Sequence, residues 1–286
     1  MMIRPLIATA AVLSSLVAVG GAQAAPKVAK IAPPGPTEWR TPAPEDVVVI
    51  DTNKGRVILE LIPEVAPGHV ARFQELTREG VYDGRTFFRV IDRFMAQTGD
   101  PDDTGEGGTK KSNLKAEFTF RRDASTPFTA AAAPAGTEVG LLKSLPVVSQ
   151  AWSWAEVTSD KKVSAWGTYC PGVVGEARDE DVNSANSQFF LMRQPYPSLD
   201  KRYTAFGRVL VGLDVVRAIK TGEPVEKPQD RMTKVRLLAD IPPAERPSVR
   251  VVDTASPWFK AEIARKRAAR GADFSVCDVD LAVDVR

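Results

Sequence analysis

Between Phe87 and Asp100 the chain reads FFRVIDRFMAQTGD, a run of large apolar residues that carries a guanidinium at Arg89 and an amide at Gln97. Cations and amides are rarely buried without a partner, so one face of this segment is expected to look into a site. On these residues alone the competing reading is a core strand whose arginine snorkels to solvent. Other chemistries have less support. His69 is the only histidine, and no Cys, Ser or carboxylate partner is identifiable beside it, so it reads as a helix-end or surface residue. A hydrolase lacks a visible nucleophile–base pair. The loop from Asp100 to Lys111 contains Asp-Asp-Thr-Gly-Glu-Gly-Gly-Thr but not the Gly-Lys-Ser/Thr ending of a phosphate-binding loop. Its acids also lack the ligand spacing of a calcium loop. No metal or cofactor is expected.

The elements that must position these residues read as mainly β. VVVIDT and GRVILELI flank Asn53-Lys54-Gly55 and predict a hairpin. Pro67 and Gly68 open a segment in which Val70, Phe73 and Leu76 recur before Gly80, the pattern of a short amphipathic helix. Strands are expected over Phe87–Gln97, around Gln188–Met192, over Tyr203–Gly212 and over Met232–Ile241. LDVVRAIKTG predicts a second helix that stops at Gly222. Residues 119–165, with TAAAAPAG and SLPVVSQAWSW, interrupt the strand pattern and read as an insertion packed on the domain surface. Trp152, Trp154 and Trp166 would anchor it or extend a binding groove. In an extension over 242–286, Ser256 is the expected N-cap and Pro257 the first residue of a basic helix to Arg270. Gly271 should end it, and a short strand holding Cys277 should follow.

Residues 1–24 combine Arg4, an apolar run from Leu6 to Val19 and Ala22-Gln23-Ala24, which together describe a secretory signal peptide. Export is therefore expected, with a periplasmic product and no stable membrane insertion after cleavage. Residues 25–45 are rich in Pro and Ala and read as an extended linker. The charge is nearly balanced, 38 Lys and Arg against 36 Asp and Glu, which argues against a general nucleic-acid binder. Cys170 and Cys277 are the two cysteines. In an oxidising compartment they either bridge or remain as two buried thiols. A bridge would close a loop of roughly 100 residues, worth up to about 4.7 kcal/mol in the chain-entropy model.

Four stretches in order, FFRVIDRFMAQTGD, TGEGG, GVVGEAR with NSANSQFFLM, and LDKRYTAFGRVLVGLDVV, resemble the cyclophilin family of peptidyl-prolyl isomerases. The resemblance covers residues 46–241 apart from the insertion, and with the leader it looks like an exported bacterial member. It implies a closed eight-stranded antiparallel barrel capped by two helices. The activity implied is acceleration of rotation about Xaa-Pro bonds in proline-containing polypeptides, carried out by a monomer. A non-catalytic chaperone or scaffold on the same barrel is the alternative.

By position, Arg89 matches the family's catalytic arginine, with Gln97 beside it. Phe94, Met95, Phe190 and Leu199 match the proline pocket. Gln188 matches a residue near the substrate backbone, Ala177 and Arg178 a pair that contacts the residue before proline, and Gly105 a loop beside the adjoining pocket. Tyr203 stands where many members have a pocket histidine, Ser198 where eukaryotic members have tryptophan, and Phe88 where many have histidine. Glu176 replaces a frequent methionine, and is expected to put charge near the groove or to pair with Arg178.

Overall fold

The computed structural model describes residues 31–286; the expected leader and the first part of the linker lie outside the described residues. In chain order the first strands are β1 (Trp39–Arg40), β2 (Val47–Thr52) and β3 (Gly55–Leu61), followed by helix α1 (Pro67–Arg78), β4 (Arg89–Ile91) and β5 (Met95–Thr98). Next come β6 (Phe120–Arg122), β7 (Phe128–Ala132), β8 (Thr137–Leu142), β9 (Leu145–Gln150) and β10 (Val163–Gly167). Then follow β11 (Val173–Glu176), β12 (Phe189–Met192), β13 (Ala205–Val211), α2 (Leu213–Ala218) and β14 (Met232–Leu237). The chain finishes with β15 (Val249–Val252), α3 (Pro257–Arg270) and β16 (Val283–Val285).

Eight of these strands form one curled antiparallel sheet in the order β14-β2-β3-β13-β11-β12-β5-β4. The expected full closure is not seen as a ladder. The end strands β14 and β4 do not pair with each other. Near them, the Thr86↔Arg231 bridge, with Phe87 N donating to Asp230 O (2.9 Å) and Met232 N to Arg85 O (2.9 Å), brings the two edges together. The alternation of side chains divides the interior. Ala96, Phe189 and Leu191 face a core shared with Val48, Ile50, Leu59, Phe73 and Phe206 under α1. Their sequence neighbours Met95, Phe190 and Met192 face the opposite core. β2 is covered on both sides, Val48 and Ile50 by the first core and Val47 and Val49 by Leu238, Ile241 and Val249. That is why VVVI reads as an unbroken apolar run.

The segment expected as a surface insertion is a second sheet, five strands in the order β6-β10-β9-β8-β7. Along β8 and β9 buried and exposed residues do not alternate, residues 140–142 and 145–147 being buried in runs, so no period of two announced them. Leu141, Leu142, Leu145, Val147 and Ala165 join Met95, Phe190, Tyr169 and the α3 residues Phe259 and Ile263 in one cluster. This sheet is therefore part of the wall behind the Phe87–Asp100 segment. The linker expectation also needs correction, because β1 pairs with β15 and β15 with β16 in a third, three-stranded sheet. Ser256 caps α3 by accepting from Phe259 N, and Gly271 is its C-cap, as the sequence implied. Cys277 instead lies on a 3-10 turn, Val276–Asp278, and is bonded to Cys170. Helix α2 ends at Ala218, and Gly222 pairs with Val90 at the edge of the sheet instead of stopping a helix.

Among the described residues no helix is long and apolar enough to cross a membrane.

Candidate active site

The register of the large sheet puts the informative residues in one row. Arg89 on β4 lies opposite Gln97 on β5, Gln97 opposite Phe190 on β12, and Phe190 opposite Gly175 on β11. Paired residues of antiparallel strands share a face. Gly175 is required there because a Cβ would lie 2.4 Å from the Phe190 ring and 2.8 Å from Tyr169. The absent side chain lets Phe190 lie down on Tyr169, ring centroids 5.8 Å apart.

Above this row opens a cavity of about 290 Å³ lined by Arg89, Phe94, Met95, Gln97, Ala177, Arg178, Phe190, Leu199 and Tyr203. Phe94 comes from the β4–β5 turn, Leu199 from the 3-10 turn Pro197–Leu199, and Tyr203 meets Phe190 edge-on at 6.0 Å. The Arg178 guanidinium stacks on the Tyr203 ring at 4.6 Å, while its N–H groups donate to Arg202 O and Asp179 O. A smaller neighbouring cavity of about 90 Å³ is bounded by Gln97, Gly105, Glu106, Gly107, Asn186 and Gln188, among others. The sequence-derived residues thus converge, Gly105 and Gln188 on the smaller cavity and the other nine on the larger. Trp152, Trp154 and Trp166 line neither. Trp166 is covered by the Lys201 ammonium at 4.0 Å.

A chain of hydrogen bonds fixes the polar members. Arg89 Nη1 donates to Gln97 Oε1 (3.1 Å), Gln97 Nε2 to Gln188 Oε1 (2.9 Å), and Gln188 Nε2 to the carbonyls of Gly105 (3.1 Å) and Gly107 (2.8 Å). Those carbonyls are held by Asp100. Its carboxylate accepts from Thr104 N (2.9 Å), Gly105 N (2.6 Å) and Gly107 N (3.2 Å), and also from Asp102 N (2.9 Å). Gly105 has φ +94°, and a Cβ on Gly107 would sit 2.1 Å from Asp100 Oδ1, so both positions need glycine.

Burial by itself raises the Asp100 carboxyl, but the backbone N–H donors outweigh it and hold the group below the ordinary carboxylate range. The stability Asp100 contributes is therefore fully present above its unfolded pKa, about 3.9, and is lost as pH falls through the depressed folded value. Asp100→Asn is expected to cost about 1 to 3 kcal/mol at neutral pH. Its deficit relative to wild type should shrink on acidification below the unfolded pKa, read as denaturation midpoints across pH. A deficit that does not change with pH would remove this role.

Two expectations are corrected. Glu176 does not reach the groove or Arg178. It follows Gly175 on the strand and so points to the other face, where it is 4% exposed. Burial pushes its carboxyl well above the usual range, with Arg72 opposing only in part. His69 does lie at a helix end, as the third residue of α1, but it is not on the surface, being 1% exposed. The partner that sequence proximity could not reveal is Glu117, which meets His69 Nδ1 at 2.6 Å and accepts from the α1 N–H groups of Gly68 and His69, both at 3.0 Å. Glu117 caps the helix, and despite a burial cost these donors hold it below the ordinary carboxylate range. The residue missed altogether is Glu223, whose Oε1 accepts from Arg89 Nε at 2.6 Å across 134 positions of sequence.

Residues 47–238 match the family model described as cyclophilin type peptidyl-prolyl cis-trans isomerase/CLD. A probable peptidyl-prolyl cis-trans isomerase of Brucella suis is 37% identical over 201 residues, covering 69% of this chain and 85% of that protein. A peptidyl-prolyl cis-trans isomerase of Schizosaccharomyces pombe is 30% identical over 185 residues, covering 63% of this chain and 92% of that one. The crystal structure of cyclophilin AquaCyp293 from Hirschia baltica superposes with a TM-score of 0.80 at 35% identity, covering 87% of this chain and 94% of that chain. With the family model matched over residues 47–238 and the fold shared with a solved bacterial cyclophilin, the chain belongs to the cyclophilin-type peptidyl-prolyl cis-trans isomerases.

Proposed function

We propose that this isomerase acts as a monomer on Xaa-Pro bonds of exported polypeptides in the periplasm, with Arg89 as the catalytic group. The carrying observation is the row Arg89–Gln97–Phe190 at the wall of the larger cavity. Rotation about an Xaa-Pro bond must break amide resonance, a barrier of roughly 18 to 20 kcal/mol. Phe94, Met95, Phe190 and Leu199 supply an apolar seat for the pyrrolidine ring. Arg89 has Nε and Nη1 committed to Glu223 and Gln97, which leaves Nη2 to donate toward the proline nitrogen. That nitrogen becomes a better acceptor as it pyramidalises and loses conjugation, so the hydrogen bond is stronger in the twisted state than in the planar one. Gln97 orients the guanidinium, and Gln188, Ala177 and Arg178 border the path of the flanking backbone.

The leader-like residues 1–24 and the Cys170–Cys277 disulfide support an oxidising, exported setting.

A protease-coupled isomerisation assay on an Xaa-Pro peptide tests the reading. Exchange well above the uncatalysed rate is expected. Peptide binding with no acceleration would favour a non-catalytic scaffold instead.

A further inference from the structure

The loop after α2 runs along the outer edge of β4 and extends the sheet there. Val90 N donates to Gly222 O and Gly222 N to Val90 O, both at 2.8 Å, and Val225 N donates to Phe88 O at 2.8 Å. These bonds flank Arg89 on both sides. The turn between them needs a glycine at 222, where a Cβ would lie 2.7 Å from Pro224 O and 2.7 Å from Val225 Cα. The loop's base is tied down in turn, by Lys220 N to Asp230 Oδ2 (2.8 Å), Lys220 Nζ to Glu226 O (2.7 Å) and Gln229 Nε2 to Val225 O (2.8 Å). Glu223 is thereby delivered to Arg89 by a braced backbone, and its Oε1 accepts from Nε at 2.6 Å.

The pair is open to solvent, with side-chain exposures of 38% for Arg89 and 55% for Glu223. An exposed ion pair of this kind adds little to stability. Its effect must lie elsewhere. A guanidinium is a rigid planar fork. A single hydrogen bond from Nη1 to Gln97 leaves the plane free to swing about that contact. A second anchor at Nε, on another edge of the same plane, fixes it and with it the direction of Nη2.

We propose that Glu223 is a positioning residue of the isomerase, holding the Arg89 guanidinium in register over the proline pocket by accepting from Nε. The inference rests on the assignment of Arg89 as the catalytic group. Because Glu223 does not line the larger cavity, it acts on the twisted state through Arg89 and not on the seating of the proline ring.

The test measures kcat and KM separately on an Xaa-Pro peptide, by exchange NMR on the full chain, for wild type, Glu223→Ala, Glu223→Gln, Arg89→Ala and the Arg89→Ala/Glu223→Ala double variant. Glu223→Ala is expected to lower kcat about tenfold with KM nearly unchanged, less than the roughly 100-fold that a full 1 Å misplacement can cost. Its thermal midpoint should match that of wild type. Glu223→Gln, which keeps an acceptor for Nε, should recover most of kcat. In the Arg89→Ala background the Glu223→Ala change should have no further effect, since nothing is left to position. The proposal is overturned by an unchanged kcat in Glu223→Ala, by a loss confined to KM, by a Gln variant no better than the Ala one, or by an equal loss in both backgrounds. Wild-type activity in Arg89→Ala would instead overturn the assignment of Arg89 itself.

Discussion

Arg89→Ala is expected to lower kcat/KM on an Xaa-Pro peptide by about 2 to 4 kcal/mol, the range for losing one preorganised donor to a transition state. The side chain is partly exposed and its ion pair lies at the rim, so the fold should survive the change and the loss should fall on kcat. The apolar seat formed by Phe94, Met95, Phe190 and Leu199 does not depend on the arginine, so a proline peptide should still bind. Leu at this position is not expected to rescue, because bulk is not what the site lacks. Lys should recover little, since a single ammonium cannot meet Glu223 and Gln97 while also facing the substrate. Peptide titration beside the isomerisation assay separates the two effects. Near-wild-type turnover in the Ala variant would leave the mechanism without its catalyst.

The second large effect is on stability. Cys170 and Cys277 are joined across 107 positions of sequence. Cys277→Ser, or reduction of the wild type, is expected to cost about 2 to 5 kcal/mol, the usual range for a native disulfide. For a chain of this size that lowers the thermal midpoint by roughly 4 to 20 °C at about 2 to 4 °C per kcal/mol. The tie has a functional side as well. Cys170 follows Tyr169, which underlies Phe190 in the pocket, and Tyr169 N donates to Asp200 Oδ1 at 3.0 Å beside Leu199. Releasing the extension should therefore loosen the apolar seat and raise KM in the protein that remains folded. Equal denaturation midpoints with and without reductant would show that the covalent tie adds nothing to the packing of α3.

Part of the site was legible as a local exception to pattern, since Arg89 and Gln97 interrupt an apolar strand. Phe94, Met95, Gly105, Phe190 and Leu199 break no pattern and were picked out only by the resemblance to the cyclophilins. Partners that depend on the fold to bring distant segments together were not legible. Glu117 caps a helix 48 positions before it, and Glu223 reaches Arg89 from a loop 134 positions later that lies along the edge of β4. Glu176 was expected at the groove because it stands where the resembling family often has methionine, and position in a motif does not say which face of β11 a side chain takes; Gly175 faces Phe190, so its neighbour Glu176 faces the other way. The five-stranded sheet escaped for another reason. Along β8 and β9 the buried residues come in runs, so no period of two marks those strands.

The order of strands in the large sheet also sets a timetable for assembly. β2, near the start of the domain, takes β14 as its outer neighbour, and Val48 pairs with Leu237. At about 5 to 20 residues per second of synthesis, that partner follows after roughly ten to forty seconds. The five-stranded sheet has all its strands between Phe120 and Gly167, but the Phe259 and Ile263 side chains that pack with it come later still. Until β14 arrives, the edge of β2 offers unpaired N–H and C=O groups to any passing strand. A chain cut short before Met232 therefore lacks the cover of that edge and also α3, whose Phe259 and Ile263 pack with the smaller sheet, which makes aggregation, and not a merely inactive domain, the natural fate of an unfinished copy.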